Sequence, residues 1–228
     1  MRSIAANLEL IRSQIAASAA RVNRDPAAIQ LIAVTKYVAL AQINEAIRAG
    51  VSVIAESRAQ EAAKKFPLLE GPVAKHFIGT LQTNKVKPVI RNFDLIHSVD
   101  RIELVRELAK ESGVRQCPVE FLLQVNISGE VSKHGFAPDD LVFVLEQIGT
   151  YPYLRPRGLM TMAPLTSDPE MARPVFRRLK ELFEKHKEAP LISADWQYLS
   201  MGMSQDFQVA VEEGANMLRI GTAIFSLE

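Results

Sequence analysis

"QLIAVTKYVALAQINEAIRAG", residues 30–50, holds two structural periods side by side. Residues 30–34 are a short apolar, β-branched run that reads as a strand covered on both faces. Lys36 and Tyr37 interrupt the run, and residues 39–49 then follow a helical pattern that Gly50 is placed to cap in a left-handed conformation. A buried strand followed by a helix is the unit of a parallel sheet.

The same unit recurs along the chain. Apolar runs fall at 30–34, 51–55, 76–79, 94–99, 119–126, 157–160, 197–201 and 217–220. Helical patterns at 39–49, 57–66, 82–91, 101–111, 138–148, 169–188 and 204–213 separate them. Strict alternation over eight strands favours a closed (β/α)8 TIM barrel, an α/β fold, over the alternative of an open doubly wound sheet. Gly50, Gly113 and Gly214 each fall between a helix and the next strand, where a left-handed cap is wanted. Pro138 and Pro169 sit at helix starts, where a missing N–H costs little. Ahead of the first strand, Ile4, Leu8, Ile11, Ile15 and Ala19 form one apolar stripe, so residues 1–25 read as an extra helix packed on the barrel and stopped by Pro26. No linker composition or second boundary interrupts residues 1–228, and one domain is expected.

Composition narrows the function classes. The 228 residues carry 27 Lys and Arg against 26 Asp and Glu, so a net charge of +1 gives no global attraction to nucleic acid or anionic membrane. One cysteine, Cys117, excludes an internal disulfide or a cysteine-rich metal cluster and fits a reducing compartment. The N-terminus lacks the apolar core of a signal peptide, and a cytoplasmic protein is expected. The four histidines, His76, His97, His134 and His186, lie on separate segments without metal-ligand spacing, and no metal site is expected. Residues 177–188, rich in charge, read as a solvated helix face.

In a barrel the residues after each strand crowd one rim, where active sites form. Here that rim collects Lys36, then Glu56, Ser57 and Arg58, then Thr80 and residues 82–85 with Asn84. His97, Ser98 and Asp100 follow the fourth strand, and Asn126 and Ser128 the fifth. Thr161, Ser200, and Arg219 with Gly221 and Thr222 complete the circle. A lysine freed by partial burial is a nucleophile whose characteristic covalent chemistry is a Schiff base with an aldehyde. The turns at 200–204, with Ser200 and Gly202, and at 219–222 offer backbone N–H groups and hydroxyls after strands seven and eight, where barrels bind phosphate. Lysine and phosphate site together suggest a phosphorylated aldehyde. Pyridoxal phosphate leads, with a sugar-phosphate aldolase as the open alternative. Arg219 can only donate to a pyridine nitrogen, which would leave the ring a weaker electron sink. Its bland alternative is a structural pair with a carboxylate such as Glu56.

The motifs "AVTKY" (33–37), "HFIGTLQTNK" (76–85), "HSVDR" (97–101), "VNISGEVSKHGF" (125–136), "RGLMTMAP" (157–164), "LSMGMSQDF" (199–207) and "RIGTAIF" (219–225) occur in order over nearly the whole chain. Together they resemble the pyridoxal 5′-phosphate homeostasis proteins, also called PLP-binding proteins. The resemblance implies a barrel of the alanine racemase N-terminal-domain type, with pyridoxal 5′-phosphate held as an internal aldimine on Lys36. It further implies phosphate contacts from Ser200, Gly202, Gly221 and Thr222, Arg219 at the pyridine nitrogen, and Ser57 and Asn84 near the cofactor. Ser57 stands where the family usually has asparagine, and Lys133 matches another family lysine. By the same resemblance the chain serves vitamin B6 homeostasis and amino-acid and keto-acid balance without substrate turnover, PLP-dependent apoenzymes being its candidate partners. The few residues after the eighth strand leave no room for a racemase's second domain. A racemase-like enzyme is the alternative, and a monomer is the expected state.

Overall fold

Short strands buried on both faces need helices outside and packed side chains inside, and the computed structural model of the chain has both. It describes residues 2–130, 133–164, 166–187 and 196–226. Eight parallel strands close in sequence order: β1 (Gln30–Val34), β2 (Val53–Glu56), β3 (Ala74–Phe77), β4 (Leu95–Val99), β5 (Val119–Gln124), β6 (Leu154–Met160), β7 (Tyr198–Ser200) and β8 (Met217–Ile220). Closure is made by β1 on β8, with Ile32 beside Arg219 and Ala33 beside Ile220. The fold is therefore the (β/α)8 barrel that the alternation predicts.

Alternate strand residues fill the barrel. Ile32, Val53, Ala55, Leu95, Leu122, Met160 and Met217 form an inner apolar cluster, separate from the larger core between strands and helices. The helices are α1 (Ile4–Arg21), α2 (Leu40–Arg48), α3 (Ala59–Lys65), α4 (Val86–Asn92), α5 (Ile102–Arg115), α6 (Leu141–Gly149), α7 (Arg173–Lys187), α8 (Phe207–Glu212) and α9 (Thr222–Phe225). Helix α1 starts at Ser3, whose side chain accepts the Ala6 N–H, and it buries Ile4, Leu8, Ile11, Ile15 and Ala19, the stripe read from the sequence. Each of the isoleucine and leucine side chains among them contributes ~1.5–3 kcal/mol. Asn7 on the same face donates through Nδ2 to the carbonyls of Ile224 and Ser226, at 3.0 and 3.3 Å, so α1 clasps the segment after β8.

Three local expectations change. Gly50 and Gly214 take positive φ, +86° and +101°, but Gly113 lies inside α5, and Gln116 at +51° ends that helix instead. The helix runs one turn further than its apolar pattern, until Cys117 and Pro118 turn the chain toward β5. Strand β6 begins at Leu154 rather than 157, because Pro156 is tolerated at a bulge: Phe121 faces Pro156 while Leu122 faces Gly158, leaving Arg157 as the extra residue. Residues 83–85, 138–140 and 169–172 form single 3-10 turns ahead of α4, α6 and α7. Glu188, at the end of one expected helix, lies outside the described residues.

Candidate functional site

The β1 strand ends at Val34, and Thr35 then delivers Lys36 to the C-terminal rim, where its side chain is exposed. Beside it, Glu56 at the end of β2 is 1% exposed. Such a carboxylate requires partners, and Lys65 Nζ on α3 supplies one at 2.8 Å while also donating to the Thr35 carbonyl at 3.0 Å. The Thr35 hydroxyl lies 3.0 Å from the same Glu56 oxygen. This buried pair ties the ends of β1 and β2 to α3 immediately before Lys36. Glu56 is thus Lys65's partner rather than Arg219's.

Above the pair lies a cleft of about 320 Å3 lined by Lys36, Tyr37, Ser57, Arg58 and Lys65 among others. Tyr37 has φ +63° and lies under the Arg58 guanidinium, which donates to its hydroxyl at 3.1 Å. Ser57 is half-buried in the cleft wall. Its backbone is gripped by Gly79: a Cβ there would stand 2.0 Å from the Ser57 carbonyl oxygen, so only glycine lets the loops after β2 and β3 meet. A larger cavity, about 570 Å3, opens at the opposite end of the barrel among Arg12, Gln30, Ser52 and Asn216. Its cation, Arg12, is committed to the Ala49 and Gly50 carbonyls, and the cavity is remote from the rim chemistry.

Next to β1 across the closure lie the turns after β7 and β8. Gly202, at φ +91°, turns the chain where a Cβ would stand 2.6 Å from Ala210 Cβ, and its carbonyl accepts the Arg219 N–H at 3.0 Å. Asp206 folds back to accept the Met203 N–H at 2.6 Å, and burial pushes its carboxyl above the usual range. The turn thereby presents Ser204, whose Oγ accepts the N–H groups of Gly221 at 3.4 Å and Ala223 at 3.3 Å. Gly221 packs against Val34, two residues before Lys36, and Thr222 opens α9 beside it. Converging amides and hydroxyls are the donor set that suits an oxyanion, within one strand of the lysine.

Ser200 behaves differently from its sequence reading. It is the last residue of β7 and fully buried, and its hydroxyl faces the barrel interior. There it accepts from Arg219 Nη1 at 2.5 Å and lies 2.9 Å from His97 Nδ1. The serine beside the Gly221 and Ala223 amides is Ser204. The period of two in a strand was the available signal, because Tyr198 and Ser200 share the inward face while Ser204 lies beyond the Gly202 turn. His97 and Ser98 likewise belong to β4 itself rather than to the rim. Ser98 Oγ donates to the Gly79 carbonyl, and His97 Nε2 lies 3.0 Å from His76 Nδ1 on β3. Arg219 is buried in this inner layer, with Nη2 donating to the Thr161 carbonyl at 2.9 Å. Asn84 occupies an exposed turn, and among the described residues no hydrogen bond joins it to Lys36 or to the cradle. Lys133 pairs with Glu130 at 3.2 Å in the loop after β5.

Electrostatics in the inner layer follow from burial. It lowers the Arg219 pKa to about 10, Asp206 acting in the other direction. It lowers His76 to about 4, against the pull of Asp94, and holds His97 well below the ordinary range with help from His76 and Arg219. On unfolding, His76 regains its ordinary value of 6.5, so the unfolded chain binds the extra proton between pH 6.5 and about 4. Stability is full above that window and falls as pH drops through it, by ~3 kcal/mol from His76 at ~1.4 kcal/mol per unit. Urea unfolding at pH 7 and pH 4.5 checks this, and His76→Gln should remove the His76 share of the dependence while leaving that of His97.

Comparison with known proteins bears on this geometry. Residues 3–228 match the family described as alanine racemase, N-terminal domain. The pyridoxal phosphate homeostasis protein of Pseudomonas aeruginosa is 38% identical over 226 residues, covering 99% of this chain and 96% of that protein. The protein of the same name from Aquifex aeolicus is 37% identical over 219 residues, covering 96% and 95%. Among solved structures, PipY of Synechococcus elongatus, determined with PLP bound, superposes with a TM-score of 0.85 at 34% identity, covering 98% of this chain and all of that one. With family match, near-full-length identity and barrel in agreement, the chain belongs to the alanine racemase N-terminal-domain family and, within it, to the pyridoxal phosphate homeostasis proteins.

Proposed function

We propose that this chain binds pyridoxal 5′-phosphate at the C-terminal rim of the barrel and serves its homeostasis, holding the cofactor without turning over a substrate. The observation that carries the reading is the adjacency of the end of β1, two residues before Lys36, to the Ser204, Gly221 and Ala223 cradle beside β8. The donor set fits the cofactor: the hydroxyls of Ser204 and Thr222, with the amides of Gly221 and Ala223 once they turn from Ser204 Oγ, would hold the phosphate, and Arg219 would face the pyridine nitrogen. Ser57, in the wall of the Lys36 cleft, would border the ring. When bound, the cofactor supplies an aldehyde carbon to which Lys36 Nζ can bond with loss of water.

The protein's own groups prepare that site. The Lys65 and Glu56 pair fixes the backbone from which Lys36 projects, and Asp206 holds the 203–204 turn that presents Ser204. A guanidinium is a donor only, so Arg219 stabilises an unprotonated ring nitrogen and keeps the ring a poor acceptor of electrons. That property supports retention over turnover, as do the names of the relatives. A cytoplasmic location accords with the single cysteine, and among the described residues no helix is long and apolar enough to cross a membrane.

Borohydride reduction of the purified protein followed by peptide mass analysis tests the cofactor, and the reduced adduct is expected on the Lys36 peptide. Exchange of α-hydrogen for solvent deuterium, over a panel of L- and D-amino acids, tests the role. The expected result is no exchange above the rate of free pyridoxal phosphate. Rapid Lys36-dependent exchange would establish the racemase-like alternative.

A further inference from the structure

Arg219, Ser200, His97 and His76 form one buried chain across β8, β7, β4 and β3. Its polarity is dictated by its first member. Arginine cannot accept a hydrogen bond, so Arg219 Nη1 donates to Ser200 Oγ. Among the described residues the only other hydrogen-bond contact of that oxygen is His97 Nδ1, so the hydroxyl proton must go there. His97 Nδ1 is then an acceptor, and in the neutral ring the hydrogen sits on Nε2, which points at His76 Nδ1. His76 must accept in turn and carry its own hydrogen on Nε2. One cation thus sets the tautomer of two histidines on strands that do not touch its own.

The reverse dependence is the functional one. Arg219 spends one Nη1 hydrogen on Ser200 and one Nη2 hydrogen on the Thr161 carbonyl, two of the five that a guanidinium carries. Those two bonds fix the plane of the guanidinium and hence the direction of the remaining donors. The Thr161 contact is backbone, whereas the Ser200 contact is a hydroxyl free to rotate unless His97 holds its proton. We propose that His97 is a positioning residue: by taking the Ser200 proton it locks Ser200 as an acceptor and aims Arg219 at the ring nitrogen of a bound pyridine. The proposal rests on the reading that Arg219 faces that nitrogen.

The test compares His97→Leu, which removes the acceptor, with His97→Asn, which can keep one near the Nδ1 position, and with Ser200→Ala. In the cofactor-free protein, nitrogen-15 NMR should find His97 and His76 as Nε2–H tautomers. In the protein loaded with pyridoxal phosphate, His97→Leu and Ser200→Ala should shift the visible band alike. Each should release the cofactor on dialysis about two- to tenfold faster, the loss of one hydrogen bond. The double variant should do no more than either single one, and His97→Asn should restore the wild-type band. Additive effects, an unshifted band in both single variants, or an Nδ1–H tautomer at His97 would overturn the proposal. Should His97→Leu not fold, Ser200→Ala and His97→Asn decide alone, by the presence of the shift in the first and its absence in the second. The parent reading fails separately: an Arg219→Gln variant with an unchanged band removes Arg219 from the ring, and the proposal with it, whatever the tautomers are.

Discussion

Lys36→Ala should lose all covalently held pyridoxal phosphate: no visible band after desalting, and no added mass after borohydride. The expectation is strong because the nearby amines are otherwise engaged. Lys65, in the same cleft, is bound to Glu56 and to the Thr35 carbonyl. Lys133 lies in a different loop, with its buried Nζ 3.2 Å from Glu130 but making no hydrogen bond among the described residues. Reversible binding should survive, since the cradle of Ser204, Gly221 and Ala223 does not depend on the Lys36 side chain. Equilibrium dialysis would detect that remainder, and adding Ser204→Ala and Thr222→Ala should weaken it by ~1–3 kcal/mol per charge-assisted bond. A full band in Lys36→Ala would transfer the anchor to one of the other two lysines and refute the assignment.

Lys65→Met should cost ~3–5 kcal/mol of stability, the penalty for stranding a buried partner's charge. The side chains of Glu56 and Lys65 are only 2% and 16% exposed, so water cannot replace the missing ammonium. The loss also frees the Thr35 carbonyl, and the end of β1 should loosen where it carries Lys36. Guanidinium unfolding of the cofactor-free protein measures the first effect. The double variant Glu56→Leu with Lys65→Met should recover most of the stability, because an apolar pair has no charge to strand. If the single variant lost less than about 1 kcal/mol, the pair would have to be counted with ordinary surface ion pairs.

The barrel was legible because burial on both faces leaves an unmistakable run, and β1 and β8 were read to the residue. Edges moved where backbone chemistry outweighed hydropathy, as at the Pro156 bulge and the Gln116 cap. The rim was readable as an ordinal pattern of polar residues after strands, which placed Lys36, Gly221 and Thr222 there. It was blurred where a strand's last residue could point either way. Ser200 and His97 were assigned to the rim because polar residues are usually outside, yet a polar inner layer satisfied by its own hydrogen bonds is permitted, and here it is what supports Arg219. Ser204 lies in the same 200–204 turn, and it is this serine whose hydroxyl meets the Gly221 and Ala223 amides. No rule of spacing could place His76 beside His97, since their contact is made by the register of β3 on β4.

The clasp between α1 and the segment after β8 has a consequence for the order of synthesis. Lys36 is joined long before the Gly221 amide that meets Ser204 and the carbonyls that Asn7 holds. A growing chain therefore carries Lys36 from β1 until β8 is made without a closed barrel around it. Ligand free energy cannot assist any partial barrel and acts only on the final meeting of β8 with β1. Cofactor captured at the proposed site would thus mark a chain whose β8 has closed on β1.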